Sequence, residues 1–279
     1  MAPRERANSW ALLVSPGVAV LVAFFLMPLL LMALRSVTDP SPANYLILFS
    51  SGIYVRVLLH TLVVAGLCML VCLVLGYPYA FAMLRAGPRL QLVLTVAIIL
   101  PFWSSVLVRS YAWLMLLRDT GVINTWLLNW GVIATPLRIV RTNIAVVITM
   151  CHILLPFMVF PVYAAMRRID PNLLPAAAVM GARPARAIRL VFVPLSLPGV
   201  YAGPLIVFVV ALGFYVVPAL VGGPSSTMFS ELIVGKVYDE LEFGVGAALA
   251  MVLIAPALVV LGIVSRFVRI RDAVEYGMR

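Results

Sequence analysis

The residues best suited to a specific contact lie in one polar, arginine-rich stretch, residues 167–198, between two strongly apolar ones. Asp170-Pro171 is a good helix start, because aspartate can cap free backbone amides and proline suits the first helical position. The run 172–180 is rich in leucine and alanine and favours a helix. Gly181 can take the left-handed conformation that ends one. These residue types indicate a folded docking surface.

A second short helix is predicted to follow from Pro184. Pro194 and Pro198 are expected to end it before the next apolar segment, because proline lacks a backbone donor and disfavours a helical residue before it. The arginines of this stretch recur every third residue, which puts them on one face: Arg183, Arg186 and Arg189. We therefore expect two short helices that meet at Gly181, and we call residues 167–198 the elbow.

Small side chains at Ala176, Ala177 and Ala178 would let the backbone of a partner come close to the elbow. The alternative is an ordinary basic loop held on anionic lipid headgroups. Lipid attraction accounts for the arginines, but it does not account for the paired small residues, the glycine and the spaced prolines. From the residues alone, both interpretations stay open.

The sequence offers no catalytic constellation. No serine or cysteine nucleophile stands near a base, and Cys68, Cys72 and Cys151 lie in apolar runs without metal-ligand spacing to a histidine. A P-loop needs Gly-Lys followed by Ser or Thr, whereas the single lysine, Lys236, precedes Val237. We predict a non-catalytic protein without metal or cofactor, so any ATP that powers it must bind another chain.

Composition places the chain in a membrane. Of its 279 residues, 64% are apolar and 11% are charged, whereas a soluble domain is about half apolar and about a quarter charged. The formal charge of +10 does not indicate nucleic-acid binding, since the basic residues stand at the ends of apolar runs. A spanning helix needs about 20 apolar residues. Six segments qualify and predict an all-α membrane protein with six transmembrane helices: residues 10–34, 57–84, 90–117, 143–166, 199–221 and 244–265.

Two further apolar features need separate interpretations. The first segment is longer than a secretory signal core of about 7–15 residues, so we expect it to be retained as a helix. Residues 121–134 are apolar but too few to cross the bilayer. We predict that they lie flat at the interface, with Trp126 and Trp130 at headgroup depth.

The distribution of lysine and arginine predicts the orientation. Thirteen of these residues fall in loops on the elbow's side of the membrane and six fall in the opposite loops. The positive-inside rule then puts both termini and the elbow in the cytoplasm. We divide the chain into a first segment with the first helix and an outer loop (1–56), a core that contains the elbow (57–266) and a cytoplasmic tail (267–279).

A solute pathway is predicted where the spans are polar or broken. Arg109 is costly in lipid, so it should face the bundle interior, a cavity or a partner, or else snorkel outward. The fifth span is expected to break at Gly203-Pro204, Gly213 and Pro218. Aromatic faces beside Gly213 can hold ammonium groups, with plain helix packing as an equal alternative. The candidate pathway residues are Arg109, Tyr111, Gly213, Phe214 and Tyr215.

Acidic residues are missing from the predicted spans. This argues against a proton-driven carrier, because such carriers commonly use Asp, Glu or His there. An ion-coupled secondary carrier that works alone stays open as an alternative. The loop after the fifth span would draw cations, meet a partner or form a solvated face, and its carboxylates are Glu231, Asp239, Glu240 and Glu242.

The spacing within the elbow resembles the cytoplasmic signature of permease subunits of ATP-binding-cassette importers, which reads Glu-Ala-Ala, three residues, Gly, nine residues, Ile-x-Leu-Pro. The residues in these positions are Pro175, Ala176, Ala177, Gly181, Val191, Val193 and Pro194. Proline replaces the glutamate, and valines stand for Ile and Leu. Other stretches resemble the spermidine/putrescine branch, most closely its PotB-type subunits, and they are residues 101–103, 107–111, 154–157 and 212–216.

The resemblance implies a type I importer permease fold in a bacterial inner membrane. It also implies several partners: ATPase subunits, a second permease subunit, a periplasmic solute-binding protein and membrane lipid. Each ATPase would hold an elbow in a cleft, and ATPase closure would turn the pore outward, with Gly181 as the bend. The residues that the resemblance assigns to ATPase coupling are Asp170, Asn172, Leu174, Pro175, Ala176, Ala177, Met180, Gly181, Arg183 and Pro194.

Polyamines are the substrate class that the resemblance favours. The alternatives within the family are 2-aminoethylphosphonate, iron and opine-like amino compounds. In such importers the binding protein selects the solute, so the permease sequence carries little information about it.

Overall fold

The computed structural model describes the backbone of residues 3–277 and the side chains of residues 14–266 other than Ile47. Every regular element in these residues is a helix. The helices are α1 (Pro3–Thr38), α2 (Ala43–Ser50), α3 (Gly52–Arg85), α4 (Pro88–Ile99), α5 (Val106–Leu117), α6 (Val122–Asn129), α7 (Asn143–Met166), α8 (Leu173–Val179), α9 (Pro184–Ala187), α10 (Val193–Leu212), α11 (Val216–Val221), α12 (Phe229–Val234) and α13 (Phe243–Gly277).

The prediction of an all-helical membrane protein is confirmed. Within the described residues, five helices are long and apolar enough to span a bilayer, and a bent pair makes six if it counts as one span. Their outer surfaces are rich in exposed leucine, valine and phenylalanine, as lipid contact requires. The five spans are Val14–Thr38, Gly52–Arg85, Asn143–Met166, Pro184–Leu212 and Phe243–Arg266.

The third predicted span, residues 90–117, is not one straight helix. Its two arms, Pro88–Trp103 and Val106–Asn129, meet at an angle of 101°. Pro101 lies in a tight 3-10 turn, Leu100–Trp103, at the end of the first arm, where its missing N–H interrupts the helical hydrogen bonds. Ser105 then starts α5 afresh, because its hydroxyl accepts a hydrogen bond from the amide of Val108 at 3.2 Å.

The expected end of the second elbow helix at Pro194 and Pro198 is wrong. The helical path runs without a break from Pro184 to Leu212. A π-helical turn, Ile188–Phe192, precedes α10, and Pro194 follows it as the second residue of α10. The amide of Val193 donates to the carbonyl of Ile188, so the wider π turn joins α9 to α10 without a gap. The break expected at Gly203-Pro204 is also absent, but the helix does end before Gly213.

The chain forms two compact units. The first contains Met1–Val55 and Leu232–Val252. Within it, the hydroxyl groups of Ser36 and Tyr45 lie 2.8 Å apart, and Asn44 donates from Nδ2 to the carbonyls of Ser36 and Asp39 at 3.0 and 2.8 Å. These bonds hold α2 against the end of α1.

The second unit contains Arg56–Glu231 and Leu253–Arg279, and α7 forms its centre. Met150, Leu154 and Met158 of α7 are fully buried in a core that α3 and α10 also line. Two glycines let the flanking helices close on α7. A Cβ on Gly76 of α3 would lie 2.8 Å from Cγ of Met158, and one on Gly203 of α10 would lie 2.9 Å from its Sδ.

The tightest approach between α7 and α10 is at Gly199. An added Cβ would lie 2.7 Å from both the carbonyl oxygen of Pro161 and Cα of Val162. Gly199 and Gly203 therefore form a small-residue surface of the kind that brings membrane helices into close contact.

We predict opposite effects for the same substitution at two glycines. Gly199→Ala should destabilise the protein by about 1–3 kcal/mol, because backbone atoms cannot move aside for the methyl group. Gly66→Ala is the matched control, since no atom lies within 4 Å of its added Cβ and alanine favours a helix by about 1 kcal/mol. Thermal unfolding of the purified variants in detergent measures both. Equal melting temperatures would contradict the α7–α10 contact.

Candidate functional site

The elbow starts as α7 ends. The amides of Arg167 and Arg168 donate to the carbonyls of Tyr163 and Ala165, which closes the last turn. The carboxylate of Asp170 then accepts a hydrogen bond from the amide of Asn172 at 2.9 Å. The expected helix start at Asp170-Pro171 is wrong, because Asp170 initiates a turn and the N-cap of α8 is Asn172. Pro171 lies in that turn rather than at the first helical position, because α8 begins two residues later, at Leu173.

Pro175, which stands where the signature has glutamate, is compatible with the helix because of its position. It is the third residue of α8. The first amides of a helix have no intrahelical acceptor, so the missing N–H leaves no bond unmade. Pro175 is exposed and lines a hollow together with Leu174 and Phe192. The replacement therefore removes a carboxylate without breaking α8.

Gly181 ends α8 in a left-handed conformation, with a φ of +84°. The amide of Gly181 donates to the carbonyl of Ala178 at 2.9 Å, and the amide of Ala182 donates to that of Ala177 at 3.0 Å. This pair of bonds is the Schellman arrangement, which strongly favours glycine at this position. The sequence expectation of a helix stop at Gly181 matches this geometry.

The turn at Gly181 presents apolar side chains to the surroundings. Val179 is 90% exposed and Met180 is 88% exposed. Ala176 and Ala178 are exposed and Ala177 is half-buried. Such exposure of apolar groups outside a spanning segment marks a contact surface.

The other side of the elbow is anchored in the core. Phe192 of the π turn is buried, and its ring contacts the ring of Phe81 on α3 edge to face at 5.3 Å. The guanidinium of Arg85 lies 5.3 Å from the ring of Phe81. Asp170 and Leu174 line a hollow of about 290 Å³ beside this anchor. The elbow therefore has one face exposed to the surroundings and one face packed against α3.

Three arginines of the elbow, Arg183, Arg186 and Arg189, are exposed to the surroundings. Arg183 precedes α9 as its N-cap, so only Arg186 and Arg189 lie in the helical path. Within the described residues, none of the three forms an ion pair with a carboxylate. They are free to meet phosphate or carboxylate groups of a partner or of lipid.

Arg109 lies in the second unit with its side chain buried. Its residue is 8% exposed and its Nε has no hydrogen-bond partner. The guanidinium lies 6.0 Å from the ring of Phe102, across the bend before α5. His152 of α7, which contacts Trp113 at 5.7 Å, likewise has an unpartnered Nδ1. Two buried polar atoms without a hydrogen-bond partner, one on α5 and one on α7, indicate a polar interior between these helices.

The remaining pathway candidates lie around the helix break. Gly213 separates α10 from α11, and the carbonyl of Phe214 accepts a hydrogen bond from Ser230. Tyr215 is 40% exposed, and Tyr111 on α5 is 51% exposed. Helix α11 packs on α5. The structure thus places Tyr111 on α5 and residues 213–215 next to α11, which are neighbouring helices. Within the part of the chain that the structure describes, their side chains form no hydrogen bond with one another.

Three of the four carboxylates in the loop after the fifth span already have partners within the protein. Lys236 forms ion pairs with Glu240 and, at 3.0 Å, with Glu242. The hydrogen bond to Glu240 raises the pKa of Lys236. Burial raises the pKa of Glu231, although its carboxylate accepts a hydrogen bond from the amide of Met228 at 2.7 Å.

Several structural contacts carry no sequence signal of their own. His60 of α3 bonds the carbonyl of Thr227 at 3.2 Å and the side chain of Asn143 at 3.0 Å. The hydroxyl of Thr61 accepts a hydrogen bond from the amide of Phe229 at 2.8 Å. Each joins residues far apart in the chain, so local spacing could not reveal it.

Known proteins are similar to this chain in sequence and in fold. Residues 72–271 match the family described as "Binding-protein-dependent transport system inner membrane component". PotB, the spermidine/putrescine transport system permease protein, is 35% identical in Haemophilus influenzae, over 75% of this chain and 72% of that protein. In Escherichia coli K12 the identity is 37%, over 72% and 73%. YdcU, an inner membrane ABC transporter permease protein of the same strain, is 35% identical over 65% and 62%.

A solved structure agrees in fold. A chain of a bacterial alginate ABC transporter in complex with an alginate-bound periplasmic protein superposes with a TM-score of 0.76. The comparison covers 95% of this chain and 96% of that chain at 17% identity. The chain therefore belongs to the binding-protein-dependent transport system inner membrane components, the non-catalytic multi-pass permease subunits of ATP-binding-cassette importers.

Proposed function

We propose that this permease is moved through its elbow by a separate ATPase and that it imports polyamines such as spermidine and putrescine. The elbow's geometry carries the first part. The short helix α8 ends at a left-handed glycine and exposes two apolar side chains, and the next helix, α9, continues directly into the spanning helix α10. The second part rests on the likeness to two PotB proteins at 35% and 37% identity.

The contact with the ATPase centres on residues 172–183. Val179 and Met180 enter an apolar cleft of the ATPase, and the small side chains of Ala176 and Ala178 let its backbone approach. Burying two nearly fully exposed apolar side chains favours association by roughly 1.5–3 kcal/mol for each. Pro175 adds no charge to this surface, so the contact relies on shape and apolar burial.

Movement of the elbow passes into the membrane along one helical path. Pro184–Leu212 is continuous over 29 residues, so a push on the elbow displaces the far end of α10. Gly213 interrupts the path there and leaves Phe214 and Tyr215 at a hinge. The anchor between Phe192 and Phe81 couples the same movement to α3. Arg109 and Tyr111 lie on α5, against which α11 packs.

The elbow and both termini face the cytoplasm in this proposal. The excess of arginine on the elbow's side supports that orientation. A second, related permease completes the pore, and a periplasmic binding protein delivers the solute. The aromatic rings of Phe214 and Tyr215 contribute faces for ammonium groups along the path.

Gly181→Val should uncouple transport from ATP hydrolysis. A left-handed conformation costs a residue with a Cβ about 1–2 kcal/mol, and the strain would displace Val179 and Met180. Uptake in membrane vesicles should fall about tenfold, which corresponds to about 1.4 kcal/mol, while insertion into the membrane persists. Gly181→Asn is the control, because asparagine tolerates this conformation. Unchanged uptake in the valine variant would count against the elbow as the coupling element.

Met180→Asp should weaken retention of the ATPase during copurification, because a carboxylate entering an apolar cleft loses its hydration without a partner. Arg89→Asp introduces the same group at another exposed position on the elbow's side and should retain the ATPase. Equal retention in both variants would place the ATPase contact elsewhere.

Deletion of this subunit should abolish ATP-dependent uptake of labelled spermidine or putrescine, and the cloned chain should restore it. Uptake of 2-aminoethylphosphonate, ferric iron and an opine, measured in the same cells, distinguishes the other solutes. Polyamine uptake that is unaffected by the deletion would end the polyamine assignment while leaving the importer family intact. Ion-driven transport by the purified chain in liposomes without ATPase would support a secondary carrier instead.

A further inference from the structure

Three arginines surround a cleft on the segment that joins α5 to α7. The cleft is open, has a volume of about 710 Å³ and is also lined by Asp119 and Leu220. Arg118, Arg138 and Arg141 are all exposed. Within the described residues, none of them forms an ion pair with a carboxylate. The cleft therefore presents three cations against one anion.

A buried asparagine fixes the backbone that carries two of these arginines. Asn124 of α6 is fully buried. Its Nδ2 donates to the carbonyl of Arg118 and to that of Leu137, both at 3.0 Å, and its Oδ1 accepts from the amide of Leu137 at 2.8 Å. The two ends of the segment are thus held together next to Arg118 and Arg138.

The backbone of Arg141 is fixed by contacts with the segment that follows α11 and with the end of that helix. Its φ is 64°, which is a costly conformation for a residue with a Cβ. The amide of Arg141 donates to the carbonyl of Val221 at 2.9 Å. Gly223 also packs against Arg141, since a Cβ added to Gly223 would lie 2.7 Å from the carbonyl oxygen of Arg141. A strained residue locked by long-range contacts is typical of binding positions.

The cluster lies on the face of the membrane opposite the elbow. Arg141 stands just before α7 begins at Asn143, whereas the elbow follows the end of α7 at Met166. A polycationic solute would be repelled by three uncompensated arginines, so the cleft does not suit the solute itself. A protein that captures polycations needs carboxylates around its opening, and arginine forks bind carboxylates in a bidentate manner.

We propose that Arg118, Arg138 and Arg141 form a docking surface for carboxylates of the periplasmic solute-binding protein. This inference rests on the proposed function, because the charge argument depends on a polycationic solute. The fixed backbone favours a protein partner over lipid headgroups, which adapt to any basic surface. Because the cluster is exposed, docking is faster at low ionic strength and weaker in salt.

The test uses the complete transporter in phosphatidylcholine vesicles, titrated with its purified binding protein. The readout is the binding-protein concentration that gives half-maximal stimulation of ATP hydrolysis, normalised to each variant's own basal rate. The triple variant Arg118→Gln, Arg138→Gln, Arg141→Asn should require about tenfold more binding protein at low salt, and the difference should shrink in high salt. Asparagine is chosen at 141 because it tolerates a positive φ.

Arg56→Gln is the matched control, since Arg56 is exposed on the same side of the membrane but outside the cleft. It should leave the half-maximal concentration unchanged. Stimulation that the triple variant fully retains would overturn the docking surface alone. Failure of the binding protein to stimulate even the unmodified transporter would overturn the proposed function with it. A defect seen only in vesicles that contain phosphatidylglycerol would identify a headgroup site and overturn the docking surface.

Discussion

The packing of α3 and α10 onto α7 is the constraint on which the second unit depends. Met158 of α7 lies fully buried between Gly76 and Gly203, and Gly199 brings the backbone of α10 against Val162. Water does not drive helices together in a bilayer, so close van der Waals contact must do so. Glycine permits that contact here because any larger residue would overlap with the neighbouring helix.

The same packing connects the elbow to the core of the second unit. Helix α10 packs on α7 and also continues the elbow. The exposed side chain of Met180 and the buried contact at Gly199 are therefore linked through one stretch of chain. Phe192, just before α10, packs against Phe81 of α3. In the proposed mechanism, a force applied at Met180 would pass to this core and to the break at Gly213.

The local features of the elbow could be predicted because their causes are local. The helix stop at Gly181 follows from glycine's tolerance of a positive φ. The continuity of the second elbow helix could not, because Pro194 and Pro198 normally indicate an end. The π turn Ile188–Phe192 leads directly into Pro194, and packing on α7 stabilises the helix beyond it. The same limit applies to the 101° bend after Pro101, which the apolar run concealed.

The membrane location, the helical class, the number of apolar segments and the elbow's signature could all be predicted before folding was considered, because they follow from apolar length and residue spacing. Which polar groups are free depends instead on how the chain folds. Folding paired Lys236 with Glu240 and Glu242, and it left the arginines at 118, 138 and 141 without a carboxylate partner in the described residues. It also locked Arg141 through Val221, because contacts between distant segments form only when the chain has folded.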